Sequence, residues 1–451
     1  SGGNAYVIAT TSSRTNRLVV EQGGNVGVGV DASTYHDNGD TFVVYENSTT
    51  PGMTIAGASN NVGRIFFADA AGDSAAGGYD GYMDYNHSNQ KMSFGTSGTQ
   101  RLLLDSNSRI SLSNNDSNTG NTVFGYTAFN TSSDNASDNN VAIGHLAMGT
   151  GSVAGATYNT CVGYRAGDDI TSGDKSVYIG GWAGDASADV DNAVAVGYGA
   201  MGSATTTDAA DGSVAIGADA LNSLTNGVAN VAIGYKSQED NASGDYNTTV
   251  GYEAGANLIG DSNVAIGRNA LKLLEHADGG YNVAIGALSM QSTQNVGAFA
   301  NVCVGYSTGS NLGEAADGSV LIGHAAGSLI TSGEGNTAIG YQALDAEDDG
   351  DYNTAVGYQA LTAQTGISGH VANTAIGYQA GVTLLDGSDN TALGMQALKS
   401  EDGGNRSTAI GTQALYSQTT SAPAHINNVG VGTFAGYRNV TGTNNTYVGT
   451  S

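Results

Sequence analysis

One short unit recurs through most of the chain. "NTAIGYQAL" stands at Asn336–Leu344, "NTAVGYQAL" at Asn353–Leu361, "NTAIGYQAG" at Asn373–Gly381 and "NTALGMQAL" at Asn390–Leu398. With the glycine of "AIG" as marker, nineteen copies run from Gly125 to Gly449, 16 to 21 residues apart and most often 17. A catalytic site is built once, whereas a stacked coil is rebuilt for every layer. Self-similarity at this period predicts a solenoid with one coil per copy.

The slots before the glycine give the local geometry. Three positions upstream, all nineteen copies carry Thr or Val; one position upstream stands an aliphatic residue in every copy but the first, which has Phe124. Between them Ala is commonest, in eleven copies. Branched, small, aliphatic is strand alternation, because successive side chains point to opposite faces. We expect the Val/Thr and Ile side chains to fill the inside of each coil. The Ala column should then lie outside, where its small size admits a neighbouring backbone. A merely wet face would carry Thr, Ser, Lys or Glu, so the pattern predicts several chains around a shared axis.

Four positions upstream, fourteen copies have Asn and four have Ser. Coils about 4.8 Å apart would bring these amides into a hydrogen-bonded ladder, assigned to Asn230, Asn247, Asn263, Asn282, Asn301, Asn336, Asn353, Asn373 and Asn390. Asn as a mere turn former is the other reading. After the glycine, Tyr is frequent and the third residue is always small. The fourth alternates between a large residue such as Leu344 or Met290 and a glycine such as Gly327. This reads as a corner, then a second short strand or helical turn, then acidic loops such as "DAEDDGDY". Nineteen coils would make a body roughly 90 Å long.

Composition narrows the function classes. Forty-one acidic against fourteen basic residues give a net charge of -27, which repels a phosphate backbone and excludes nucleic-acid partners. The acidic loops read as a solvated surface without specific metal sites, attraction of divalent cations being the other reading. No apolar run reaches the roughly 20 residues of a membrane span, so no membrane insertion is expected. The opening "SGGNAYVIATTSS" lacks the pattern of a signal peptide. Cys161 and Cys303 sit in matching segments eight coils apart, roughly 38 Å at strand spacing and beyond disulfide reach. They read as small buried residues, although an Ala face at a symmetry axis would bring copies of Cys161 from sister chains together.

Paired carboxylates for glycoside hydrolysis would have to come from Asp168 with Asp169, or Glu347 with Asp348 and Asp349, all in loops like the other acidic loops. The histidines (His36, His87, His145, His276, His324, His370, His425) show no metal spacing, and "GGNVGVG" is followed by no helix pattern to receive a phosphate. We expect no enzyme and no cofactor.

The "NTAIGYQAL" and "NVAIG" copies resemble the "NSVAIG" repeats in the heads of trimeric autotransporter adhesins, whose chains form left-handed parallel β-rolls in threes. The longer repeat is similar to runs in the tail fibres of marine bacteriophages. "RLVVEQGGNVGVG" at Arg17–Gly29, "RLLLDSNSRISL" at Arg101–Leu112 and the strand-rich segment Arg64–Ser106 resemble modules common in phage fibres. The resemblance implies an all-β chain: a strand-rich fibre module over residues 1–115 and a parallel β-solenoid, or β-roll, of about nineteen coils over 116–451. It implies a homotrimeric fibre shaft on a virion tail, positioning or mediating attachment to a cell-surface glycan or protein receptor. A bacterial surface adhesin or extracellular filament is the alternative. The self-cleaving chaperone domain that often ends such fibres has no counterpart before "NNTYVGTS", and the resemblance suggests its removal or truncation.

Overall fold

The computed structural model describes residues 6–9, 17–20, 26–28, 42–44, 62–67, 81–96, 99–104, 110–111, 120–129, 136–150, 152–202, 210–274, 276, 279–292, 297–313, 316–365, 368–420 and 424–450. His36 and residues 68–80 of the module-like segment lie outside them. The described residues contain no α-helix. Two compact units divide at Asn114 and Asn115.

The first unit holds two sheets. One orders Tyr6–Ala9, Arg17–Val20, Val26–Val28 and Phe42–Val44 side by side. The other is an antiparallel meander of five strands from Val62–Phe67 to Ile110–Ser111. Within the meander, buried Asp84 accepts hydrogen bonds from Arg64 Nε at 3.3 Å and from Ser93 Oγ.

The second unit is a parallel β-solenoid. Nineteen three-residue strands, from Thr122–Phe124 to Thr446–Val448, form one sheet in chain order, bounding eighteen turns. Register is kept slot on slot: Thr337 pairs with Thr354, Ala338 with Ala355 and Ile339 with Val356. At strand spacing the stack is about 86 Å long.

Each coil bonds to both neighbours. Thr337 N–H donates forward to the Asn353 carbonyl at 2.8 Å, and Gly340 N–H donates back to Ile322 at the same distance. The segment after the glycine is neither strand nor helix, which corrects that expectation. It is a run of turns in which Gln342 (φ 50°) and Leu344 (φ 52°) are left-handed. That alternation aims successive N–H groups in opposite directions along the stack: Gln342 donates back to His324 at 2.9 Å, Leu344 forward to Ala360 at 3.0 Å. Backbone pairing between coils therefore satisfies groups that single-residue left-handed conformations would otherwise leave exposed.

The marker glycine is required twice over. Gly340 has φ 141°, and a Cβ there would lie 2.3 Å from the Gly357 carbonyl oxygen of the next coil. The same approach, at 2.0–2.6 Å from the next glycine's carbonyl, recurs from Gly125 to Gly432.

The interior reverses the expected faces. Ala338 and Ala375, in the middle strand slot, are fully buried inside their own coil, as are Ala343 and Leu344 after the corner. Ile339 and its counterparts face outward. A coil of about 17 residues encloses too little volume for branched side chains from the strand and Leu from the turn together, so the strand contributes its small residue. Cys161 and Cys303 occupy that inner slot with no exposure, which removes the expected approach of Cys161 between sister chains.

The Leu/Gly switch is a packing exchange with the strand. Where the fourth slot is Gly184, Gly255, Gly309 or Gly327, a Cβ would run into Tyr178, Thr249, Cys303 or Leu321, the larger residue that takes the place of Ala in the inner strand slot of the same coil. Polar side chains interrupt the apolar interior at several coils, among them the layer around Thr249 and the pairs Glu347 with Gln364 and Glu401 with Gln418. Ser237, Gln238, Asn241 and Thr249 are fully buried and bond to one another, with Gln238 Nε2 donating to Thr249 Oγ1 at 2.9 Å and Asn241 Nδ2 to Gln238 Oε1 at 2.9 Å. Two apolar clusters lie on either side, Ala128–Ala232 and Leu258–Leu415.

Candidate assembly surface

The outer side of the sheet consists of the two branched columns. The Val/Thr column is half-buried, while Ile339 is 36% exposed, Ile376 39% and Leu393 42%. In-register pairing lines these side chains up over nineteen strands. Three residues across at about 3.3 Å each, along about 86 Å, give a face near 850 Å². Typical soluble monomers expose apolar patches of a few hundred Å², and each partner in a stable complex commonly buries about 800 Å².

A column of rings runs beside it, one residue past the marker glycine. Tyr306, His324, Tyr341, Tyr358 and Tyr378 form a continuous stack with centroids 5.0–5.5 Å apart and planes within 11–24°. Next to them Gln342, Gln359, Gln379, Gln396 and Gln413 form an amide ladder, each Nε2 donating to the preceding Oε1 at 2.8–3.2 Å.

All nine assigned asparagines are buried. The backbone N–H of the equivalent Asn or Ser in the next coil donates to each Oδ1 at 2.8–3.0 Å. In eight of the nine the side-chain amide also donates, Asn353 being the exception: Asn336 Nδ2 reaches the Gly350 carbonyl at 2.8 Å, on the loop entering the next coil. The geometry is mainly side chain to backbone, with amide-to-amide bonds added at Asn263, Asn282 and Asn301.

Sequence reasoning missed a second ladder, six residues before the glycine. Asp174 N–H donates to Asp191 Oδ1 at 2.6 Å, Asp191 N–H to Asp211 Oδ1 at 2.8 Å and Asp245 N–H to Asp261 Oδ1 at 2.8 Å. The fixed offset of Asp from the glycine was the available signal, hidden because acidic loops were read as solvent.

The carboxylates weighed for chemistry have structural partners. Buried Asp168 accepts from Arg165 Nε at 2.7 Å, and Asp169 from Thr150 Oγ1 at 2.8 Å. Asp185, 3.4 Å from Arg165, is pushed up to about 6, chiefly by burial and further by the charges of Asp168 and Asp169, against the pull of Arg165. Glu347, Asp348 and Asp349 offer oxygens within 4.8 Å of one another. Glu347 is turned inward, however: Oε1 accepts from Gly350 N–H at 2.8 Å and Oε2 from Gln364 Nε2 at 2.6 Å. Burial pushes the Glu347 carboxyl up despite those bonds. His145 lies between Tyr126 and Tyr164 with the rings tilted at 50° and 56°, whereas His324 stacks between Tyr306 and Tyr341. Burial also raises the thiols of Cys161 and Cys303, leaving them unreactive. Among the described residues no helix is long and apolar enough to cross a membrane.

Comparison with protein-family models, with curated proteins and with solved structures gives no match.

Proposed function

We propose that the chain is the shaft of a virion tail fibre, in which three copies pack on their outward Val/Thr–Ile faces and hold an attachment tip away from the particle. The observation that carries this reading is the unbroken in-register stack of nineteen strands with its bulky apolar side turned out. A lone solenoid gains nothing by exposing that column, whereas apposed copies gain about 25 cal/mol for each Å² of it removed from water. Repetition supports a spacer role: every coil offers the same slots, and the rings stack on one another's faces, leaving their edges outward. Any contact with a glycan or protein receptor belongs to a tip or to loops, and the shaft itself needs neither cofactor nor catalysis.

Immunogold labelling with antibodies to the solenoid tests the reading on purified virions and on the bacteria they infect. Gold along the tails is the expected result. Gold confined to bacterial surfaces would replace it with the adhesin or filament reading.

A further inference from the structure

The ring column brings tyrosines together in one respect that neither fold stability nor assembly uses. Tyr341 and Tyr358 have centroids 5.0 Å apart and planes at 11°; Tyr358 and Tyr378 are at 5.5 Å and 16°. All three rings are between 41% and 48% exposed. Two further pairs share the geometry: Tyr235 with Tyr252 at 5.3 Å and 26°, and Tyr416 with Tyr437 at 5.0 Å and 16°. Offset stacking is an ordinary aromatic contact. Between two phenols from the same slot of successive coils, it also sets the carbons ortho to the hydroxyls side by side.

We propose that these stacked pairs are sites of oxidative Tyr–Tyr cross-linking, by which a one-electron oxidant staples successive coils covalently. Each phenol gives one electron to the oxidant and one proton to solvent. The two tyrosyl radicals join through a carbon–carbon bond between ortho positions. Each joined carbon then passes its hydrogen, as a proton, to its own ring oxygen, restoring both phenols. Two electrons and two protons leave in all; persulfate accepts the electrons and departs as two sulfates. The fold also sets which tyrosines stay unlinked. Tyr306 is separated from Tyr341 by His324, Tyr164 lies between His145 and Trp182, and the ring neighbouring Tyr352 is His370 at a tilted 56°.

The test is to illuminate the full chain with a ruthenium tris-bipyridyl complex and persulfate, separate it on a denaturing gel and map peptides by mass spectrometry. The expected products migrate as one chain and yield Tyr341–Tyr358 and Tyr358–Tyr378 peptides two hydrogens lighter than their sum. Tyr358→Phe keeps a ring in the stack and should abolish both links, leaving Tyr235–Tyr252 and Tyr416–Tyr437 as internal references; Tyr352→Phe should change none. Links scattered over Tyr306 and Tyr352, links only in material migrating as two chains, or ladder tyrosines that stay unlinked while the dye oxidises other residues would each overturn the proposal.

Discussion

Ala338 and Ile339 are adjacent in one three-residue strand and lie in opposite surroundings: Ala338 has no exposure, and Ile339 is 36% exposed. Their arrangement recurs in every coil with Ala in the middle slot, so those strands turn the small residue inward and the branched ones outward; Tyr178 and Leu321 fill the same inner slot in two other coils.

That inversion separates two substitutions. Ala375 is fully buried in the lumen of its coil, whereas Asp348 is exposed on a loop. Ala375→Arg places an unpaired charge among packed layers and should cost on the order of 5 kcal/mol. Asp348→Arg should stay within about 0.5 kcal/mol. Urea unfolding followed by circular dichroism measures both, and equal tolerance would contradict the face assignment.

The asparagine ladder makes a graded prediction. Asn336→Ala strands the Asn353 N–H and the Gly350 carbonyl, both buried, and should cost about 2–4 kcal/mol. Asn336→Ser should cost less. Ser319, in the same slot, already accepts the next backbone N–H through Oγ at 3.1 Å. Equal losses for the two variants, read from thermal midpoints, would deny that acceptance from the next coil matters.

Asp185 supplies a pH dependence. Its folded value of about 6 stands above the roughly 3.9 of an unfolded chain. The native state therefore holds its proton more tightly. The stabilisation is complete below about pH 4 and is lost as pH rises through about 6. Asp185→Asn removes the penalty of the buried charge and should raise stability at pH 7 by on the order of 1 kcal/mol, with no gain at pH 4. Denaturant titrations of both proteins at the two pH values check the sign.

Much of the architecture was legible. The glycine of Gly340 and its counterparts fixed the period, because only glycine tolerates φ near 140° against a neighbouring carbonyl. Which side of the strand faces in was not legible: alternation says that Thr337 and Ile339 share a side but not which side the coil can hold. The answer depended on Leu344 entering the lumen from a left-handed turn, a conformation that the letters "YQAL" do not announce. The exchange of Leu344 with Ala338 for Gly327 with Leu321 is written in the sequence, but its meaning needs the coil closed so that residues six apart share one space. The acidic ladder of Asp174, Asp191 and Asp211 was overlooked for a similar reason, since a loop aspartate bonded to the next coil looks like any solvated one.

Sedimentation velocity of the full chain, alone and carrying Ile339→Asp with Ile376→Asp, tests the outward apolar face most directly. We predict a species of three 45.2 kDa chains for the wild type, and for the double variant a single folded chain with unchanged far-ultraviolet circular dichroism. A wild-type protein that sediments as one chain, indistinguishable from the variant, would contradict the account.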